Sequence, residues 1–473
     1  MIISDNSSRT NQAMSMKLRE YQEKDAKFLA SLPCSACFNE QRTGKTPTAL
    51  ETIKLRNLQD KRILIITTAS SIYQWKEEYE KWLEKPCQIC TGTPREKKKS
   101  IESWTHGLII SLDSFKETSN RTGLIEPILK KKPEMIILDE AHKIKNPKTA
   151  SARAIFKTTH IPYRLAMTGT PAQGKPYDIY SILRFLFPDD FRGFWKFLEE
   201  YFIIEEETIY VNGRPRTFKT YEKFKPGKDK EIQRLLSTFS TQRKRKDVMS
   251  WLPDKFYERI RLEPTKEQQK YLNDLEQTYK TEGIVTMGTL DRIIRYRQIC
   301  LDPGLLDLPG KSPKTDWIKQ YIKDNPDEQI IIFSKFTSYL YRLTEDLSTT
   351  WAMLIGATTT KQRGQFIKDF QQGKFKVFLI NIDAGKEAIT LDAASTTIFT
   401  DKYPPIGSIE QAEDRFIAST KDKAHKAHKI IELCMKNTFD EQIYKLLELR
   451  KSETDIINNY NQYLQERREK NGR

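Results

Sequence analysis

No stretch of this 473-residue chain holds the run of roughly 18 to 20 apolar residues that a membrane helix needs. Its start, MIISDNSSRTNQAMSM, lacks the basic-then-apolar form of a secretory leader. The expectation is a cytoplasmic protein without membrane partners, with a loose tail over residues 1–15. Cysteine is scarce, 6 in all, and four of the six form two Cys-x-x-Cys pairs, Cys34/Cys37 and Cys87/Cys90. Such pairs can hold zinc. Both, however, lie in apolar stretches that read as core strands, where alternation sends positions i and i+3 to opposite faces. Buried reduced thiols are therefore expected. Histidine is scarcer still, 5 residues, and His425 and His428 have no carboxylate or cysteine nearby to complete a metal site.

Positive charge is in excess: 80 Lys and Arg against 64 Asp and Glu, a net +16. That balance favours a polyanionic partner, most simply nucleic acid. The length suffices for about two or three domains with separate cores.

ACFNEQRTGKTPTALETIKL reads as strand, loop and helix. Backbone N–H groups of such a loop and of the helix N-terminus bind phosphate oxygens, and Gly44 permits close approach. Arg42 and Thr43 would flank the nucleotide, Lys45 would reach its outer phosphates, and the Thr46 hydroxyl would ligate magnesium. The glycine expected five places before Gly44 is missing, and Asn39 stands there. PEMIILDEAHKIKN supplies a buried strand that delivers two acids. Asp139 would hold the magnesium ion, and Glu140 would polarise the attacking water. RLAMTGTPAQG is another strand ending in Thr168, Gly169 and Thr170, a position suited to relay nucleotide state.

Phosphate loop, Asp-Glu-Ala-His and Thr-Gly-Thr-Pro, in that order, resemble superfamily 2 helicases, and in finer detail the Swi/Snf-type DNA translocases. LREYQ resembles the adenine-recognising motif, which implies base reading by Gln22. ILIITTASSIYQWKEEYEKW and LIISLDSF resemble strand ends that contact DNA, which implies contacts at Thr67, Thr68 and Ser111. The basic run RKRKDV, with Arg243, Lys244, Arg245 and Lys246, suits phosphate contact. It resembles the equivalent segment of the translocase family, and somewhat more closely that of the branch that remodels and reanneals replication forks. From residue 328 a second α/β series begins. Its resemblance implies nucleic-acid contact at Ser334 and Lys335, nucleotide contact at Gly385 and Arg415, and a coupling role for Gln411. There are two departures from the family pattern. Residues 384–390 read AGKEAIT in place of Ala-Gly-Gly-x-Gly-x-Asn, and the second arginine of the final motif is Ala418. Lys421 and Lys423 could partly replace that lost charge.

The resemblance implies an α/β fold of two RecA-like parallel-sheet lobes with helical insertions between them. The first lobe is expected over 16–175, insertions over 176–300, the second lobe over 301–445 and a charged helical tail over 446–473. It also implies ATP and Mg2+ as ligands and double-stranded or branched DNA as partner. A monomer working beside replication or recombination proteins in a bacterial cell or phage-infected host fits that picture. Two alternatives stand beside it. One is an ATP-binding DNA scaffold with weak turnover, suggested by Ala418. The other is an RNA helicase, which the translocase-like YQWKEEYEKW disfavours.

Overall fold

The computed structural model describes residues 17–116, 123–172, 175–211, 214–221, 223–249, 251, 255–278, 280–384, 391–403, 406–413, 428–449, 451 and 453–470. The chain divides into two compact units, Met1–Val248 and Met249–Arg473.

In the first unit, short apolar runs form strands, buried throughout in β1 (Cys34–Cys37), β2 (Ile63–Thr67), β4 (Gly107–Ser111) and β5 (Met135–Leu138) and partly buried in β3 (Cys87–Ile89) and β6 (Tyr163–Met167). Ile63 and Ile65 of β2 enter one core and Leu64 and Ile66 the other, so helices cover both faces of the sheet. Near-continuous apolar strands are what a parallel sheet covered on both faces demands. Every ladder in it is parallel, in the order β3-β4-β2-β5-β6-β1-β9, where β9 is the short strand Ser240–Thr241. All the C-terminal strand ends therefore open at one edge, the edge where ligands of α/β sheets bind.

The stretch expected to be insertion, 176–300, divides at Val248. Helices Tyr180–Leu186 and Phe194–Tyr201 bury Tyr180, Phe185, Phe197 and Phe202 in the first unit. These aromatics serve as core, held by edge-to-face contacts such as Tyr180 with Phe194 at 5.0 Å. The antiparallel hairpin of β7 (Glu205–Val211) and β8 (Arg214–Thr220) follows. Its expected turn, Asn212–Gly213, lies outside the described residues. The short β9 (Ser240–Thr241) then returns to the sheet beside β1.

The second unit opens with β10 (Lys255–Leu262), the edge strand of its sheet. A small ladder of β11 (Lys280–Thr281) and β12 (Ile284–Val285) lies between two helices, Lys266–Thr278 and Thr289–Leu301. Next come β13 (Ile330–Ser334), β14 (Trp351–Leu354), β15 (Val377–Asn381), β16 (Thr396–Phe399) and β17 (His428–Met435). They form a second all-parallel sheet, β10-β17-β16-β13-β15-β14.

Buried ion pairs thread this unit. Lys314, fully buried, donates to Asp440 and to the Thr400 carbonyl. Lys402 donates to Glu413 at 2.8 Å and to Glu432 at 2.7 Å. The C-terminal helix Glu453–Lys470 is no free tail. Ile456, Tyr460 and Leu464, four residues apart, make one apolar stripe that is buried against Tyr296 and Phe439. The Tyr296 and Tyr463 hydroxyls both donate to Glu276.

All six cysteines are buried free thiols. Among the described residues no group of three or more His, Cys, Asp or Glu is placed to hold a metal, and no helix is long and apolar enough to cross a membrane. His428 is buried beside the Thr397 hydroxyl, 2.9 Å away.

Candidate nucleotide and nucleic-acid site

The phosphate loop leaves β1 at its C-terminal end and enters the helix Lys45–Leu55. Gly44 precedes that helix at φ +78 and ψ 44, in the left-handed region that favours glycine. Lys45 is thus the first helical residue, where unpaired N–H groups and the helix dipole favour an anion. Gln22 closes the other side. Its Nε2 donates to Thr43 O at 3.1 Å and Gly44 O at 3.4 Å, while its Oε1 accepts from Arg19 N at 2.8 Å. Gln22 thus braces the loop. The Tyr21 hydroxyl adds a second bond to Thr43 O. Thr43 is fully buried, and its hydroxyl donates to Glu40 O at 2.7 Å. Lys45 Nζ donates to the same carbonyl at 3.3 Å. Arg42 stands at φ +64, a strained position for a residue with a Cβ. Asn39 occupies the missing glycine's place without obstructing the loop. It is fully buried, and its Nδ2 turns inward to Asp25 Oδ2 at 2.8 Å.

The acid pair follows β5. Asp139 Oδ2 accepts from Thr67 Oγ1 and Trp75 Nε1, each at 2.8 Å, and Oδ1 accepts from Glu140 N at 2.9 Å. Burial and the neighbouring Glu140 push the Asp139 carboxyl above its ordinary pKa, opposed by the Trp75 and Thr67 hydrogen bonds and the Lys45 charge. Glu140 sits at φ +49, another strained position of the kind that concentrates at functional sites. Its carboxylate lies 3.2 Å from His142 Nδ1. The same nitrogen is 3.0 Å from Thr168 Oγ1, which also accepts from Thr170 N at 3.2 Å. Thr168 N donates to Cys37 O, at the end of β1. A Cβ on Gly169 would lie 3.2 Å from Gln41 N, so glycine is what lets this turn approach the phosphate loop. His142 thereby links the Glu140 carboxylate to the Thr168–Thr170 turn. Trp75 and His142 were not singled out from sequence; the only signal was their place in YQWKEE and DEAH.

The donor set fits magnesium. Asp139 and Thr46 offer hard oxygens, and a buried carboxylate held against a second carboxylate is relieved by a divalent cation.

The nucleic-acid candidates separate into two groups. Thr68 and Thr67 border a hollow of about 380 Å3 that also carries Asp113, His142, Lys143 and Lys145. Thr67 itself is buried and its hydroxyl belongs to Asp139. Ser111 caps the next turn, its Oγ accepting from Ser114 N at 3.1 Å. Ser334 is fully buried and donates to Asp401 at 2.7 Å. Each of these three hydroxyls has a hydrogen-bond partner inside its own unit. Lys335 is partly exposed and paired with Asp383. In the basic run, Lys244 and Lys246 are exposed whereas Arg243 and Arg245 are half-buried. Arg243 binds both oxygens of Asp25, at 2.7 Å to Oδ1 and 3.3 Å to Oδ2. Gln411 lies in the helix Ile406–Glu413. Gly385, Arg415, Ala418, Lys421, Lys423 and His425 fall outside the described residues.

A phosphate loop and an acid pair at the C-terminal edge of one parallel sheet, followed by a second parallel-sheet unit, define the class of helicase-like ATPases. The SNF2-related domain matches residues 21–305 and the helicase conserved C-terminal domain matches residues 313–418. The chain belongs to the SNF2-related family. It is 25% identical over 403 residues to the DNA annealing helicase and endonuclease ZRANB3 of Bos taurus, covering 80% of this chain and 35% of that protein. It is 25% identical over 447 residues to an uncharacterized ATP-dependent helicase of Mycoplasma pneumoniae, covering 90% of this chain and 41% of that protein. The chain therefore spans well under half the length of these relatives. The solved Sulfolobus solfataricus SWI2/SNF2 ATPase core in complex with dsDNA is 20% identical at a TM-score of 0.40, covering 92% of this chain and 91% of that one.

Proposed function

We propose that this protein hydrolyses ATP to move along or remodel double-stranded or branched DNA. The observation that carries the reading is the linkage, within one unit, of Lys45 at a helix N-terminus, the Asp139–Glu140 pair and the Thr168 turn through His142. In this reading Lys45 and the first-turn N–H groups bind the outer phosphates of ATP. Asp139 and Thr46 would hold Mg2+, which supplies charge neutralisation on the phosphates. Glu140 orients the attacking water, and His142 reports its position to Thr168–Thr170. Arg415 is the candidate cation for the transferring phosphoryl group by family resemblance. Lys143 and Lys145 in the hollow beside Thr68, with exposed Lys244 and Lys246, supply DNA phosphate contacts that carry no base information.

ATP hydrolysis measured with single-stranded, duplex, forked and RNA cofactors tests the reading. Stimulation by duplex or forked DNA, lost in Lys45→Ala, is expected; turnover indifferent to every polynucleotide would sink it. Ala418 favours a second reading, a DNA scaffold that binds ATP and scarcely turns it over. An arginine at a transferring phosphoryl group is typically worth ~10³ to 10⁵ in rate. DNA binding with no stimulated turnover would select the scaffold.

A further inference from the structure

We infer that Arg243 is a positioning residue for the phosphate loop and not a contact to nucleic acid. The inference rests on the reading of residues 39–46 as a nucleotide site. Residues 240–245 run beside β1 and then beside the loop. Ser240 and Thr241 pair in parallel with Ala36 and Cys37. Phe38 N donates to Thr241 O at 2.8 Å, and Glu40 N to Arg243 O at 2.9 Å. The Glu40 carboxylate accepts from Arg245 N at 2.8 Å. Glu40 is thus gripped at its N–H and at its side chain by one short segment. The carbonyl of the same residue receives the Lys45 ammonium and the Thr43 hydroxyl. Where Glu40 sits decides where the phosphate-binding lysine sits.

Arg243 holds that segment in register. Its Nε and one terminal nitrogen both bind Asp25, which is 1% exposed, and Asp25 in turn accepts from Asn39. The buried carboxylate joins the residue at the missing glycine's position to the segment that grips its neighbour. A guanidinium suits this task because its planar fork spans both carboxylate oxygens, which a lysine point charge does not do. Asp25 also explains why the fork faces inward: a buried carboxylate without a cation is costly.

The test compares the parent with Arg243→Lys, Arg243→Ala and Lys45→Ala. Binding of a fluorescent ATP analogue with Mg2+ is measured without DNA, and duplex affinity is measured across a salt series. Arg243→Lys keeps a cation beside Asp25 and could still neutralise a DNA phosphate, but it loses the fork. It is expected to bind the analogue about tenfold more weakly, the cost of one charge-assisted hydrogen bond, with its salt slope at the parent value. Arg243→Ala should weaken analogue binding further, and if it does not fold, Arg243→Lys decides. A purely structural role would lower the melting temperature and leave the folded protein's affinity for the analogue unchanged; that result overturns the inference. So does a salt slope reduced by about 0.9 in Arg243→Ala, the signature of one lost phosphate contact. Parent-like analogue binding by Lys45→Ala would instead overturn the nucleotide-site reading on which the inference stands.

Discussion

Replacing Gly44 by alanine tests the phosphate loop at the point where two separate demands meet. The first is conformational: φ is +78 at this residue, and a Cβ in that region costs roughly 1 to 2 kcal/mol. The second is steric: an added Cβ would lie 2.1 Å from Gln22 Nε2, so the carboxamide must leave. Leaving breaks its bonds to Thr43 O and Arg19 N, at about 1 kcal/mol each. Gly44→Ala should therefore destabilise the first unit by roughly 3 to 4 kcal/mol. For a unit of this size that corresponds to a melting temperature lower by roughly 6 to 16 °C. Gln22→Ala alone loses only the hydrogen bonds, about 2 kcal/mol. The double variant is the critical one. Once Gln22 is truncated the collision no longer exists, so Gly44→Ala with Gln22→Ala should be no less stable than Gly44→Ala alone. Denaturant unfolding of all four proteins measures this as a coupling of about 2 kcal/mol. Strict additivity, or a Gly44→Ala protein as stable as the parent, would refute the assignment of Gln22 as the brace over Gly44.

Glu140→Gln should still bind ATP while hydrolysis falls by roughly 10² to 10⁴; a single-turnover rate equal to the parent's would remove Glu140 from the water-positioning role. Lys402→Met leaves the Glu413 and Glu432 carboxylates without their shared cation. Lys255 and Arg259 still reach them, so urea unfolding of the second unit should show a loss near the low end of about 3 to 5 kcal/mol, and a loss under ~1 kcal/mol contradicts the network's importance. Burial holds the His428 pKa down from 6.5 to about 3. Between those values the unfolded chain takes up a proton that the folded one refuses, so this contribution to stability is complete above pH 6.5 and is lost as pH falls toward 3. The slope is at most about 1.4 kcal/mol per pH unit. His428→Gln should flatten the unfolding free energy against pH by up to one proton, and parallel curves would count against the depressed pKa.

Much of the site could be read along the chain because its pieces are local. A fully apolar run such as Met135–Leu138 must be a buried strand, and it places whatever follows at a sheet edge. Asp139 and Glu140 are acids at the end of such a run, and Lys45 follows a glycine within one turn. Periodicity and turn chemistry act over a few residues, so these placements followed from sequence order alone. Partners chosen by packing were another matter. Thr67 lies 72 residues before Asp139, and Arg243 lies 218 residues after Asp25. No local rule links such pairs. Only the parallel pairing of β2 with β5 sets the Thr67 hydroxyl against the Asp139 carboxylate. The basic run resembled one uniform patch until β9, aligned beside β1, turned its arginines inward and left Lys244 and Lys246 exposed. Asn39 looked like a defect in the loop until Asp25 gave its side chain a buried partner. Sequence by itself determined which residues bring the chemistry and at which strand ends they stand. Only the tertiary structure decided which polar side chains face the ligand and which are held inside, because burying a polar group requires a partner that folding alone brings near.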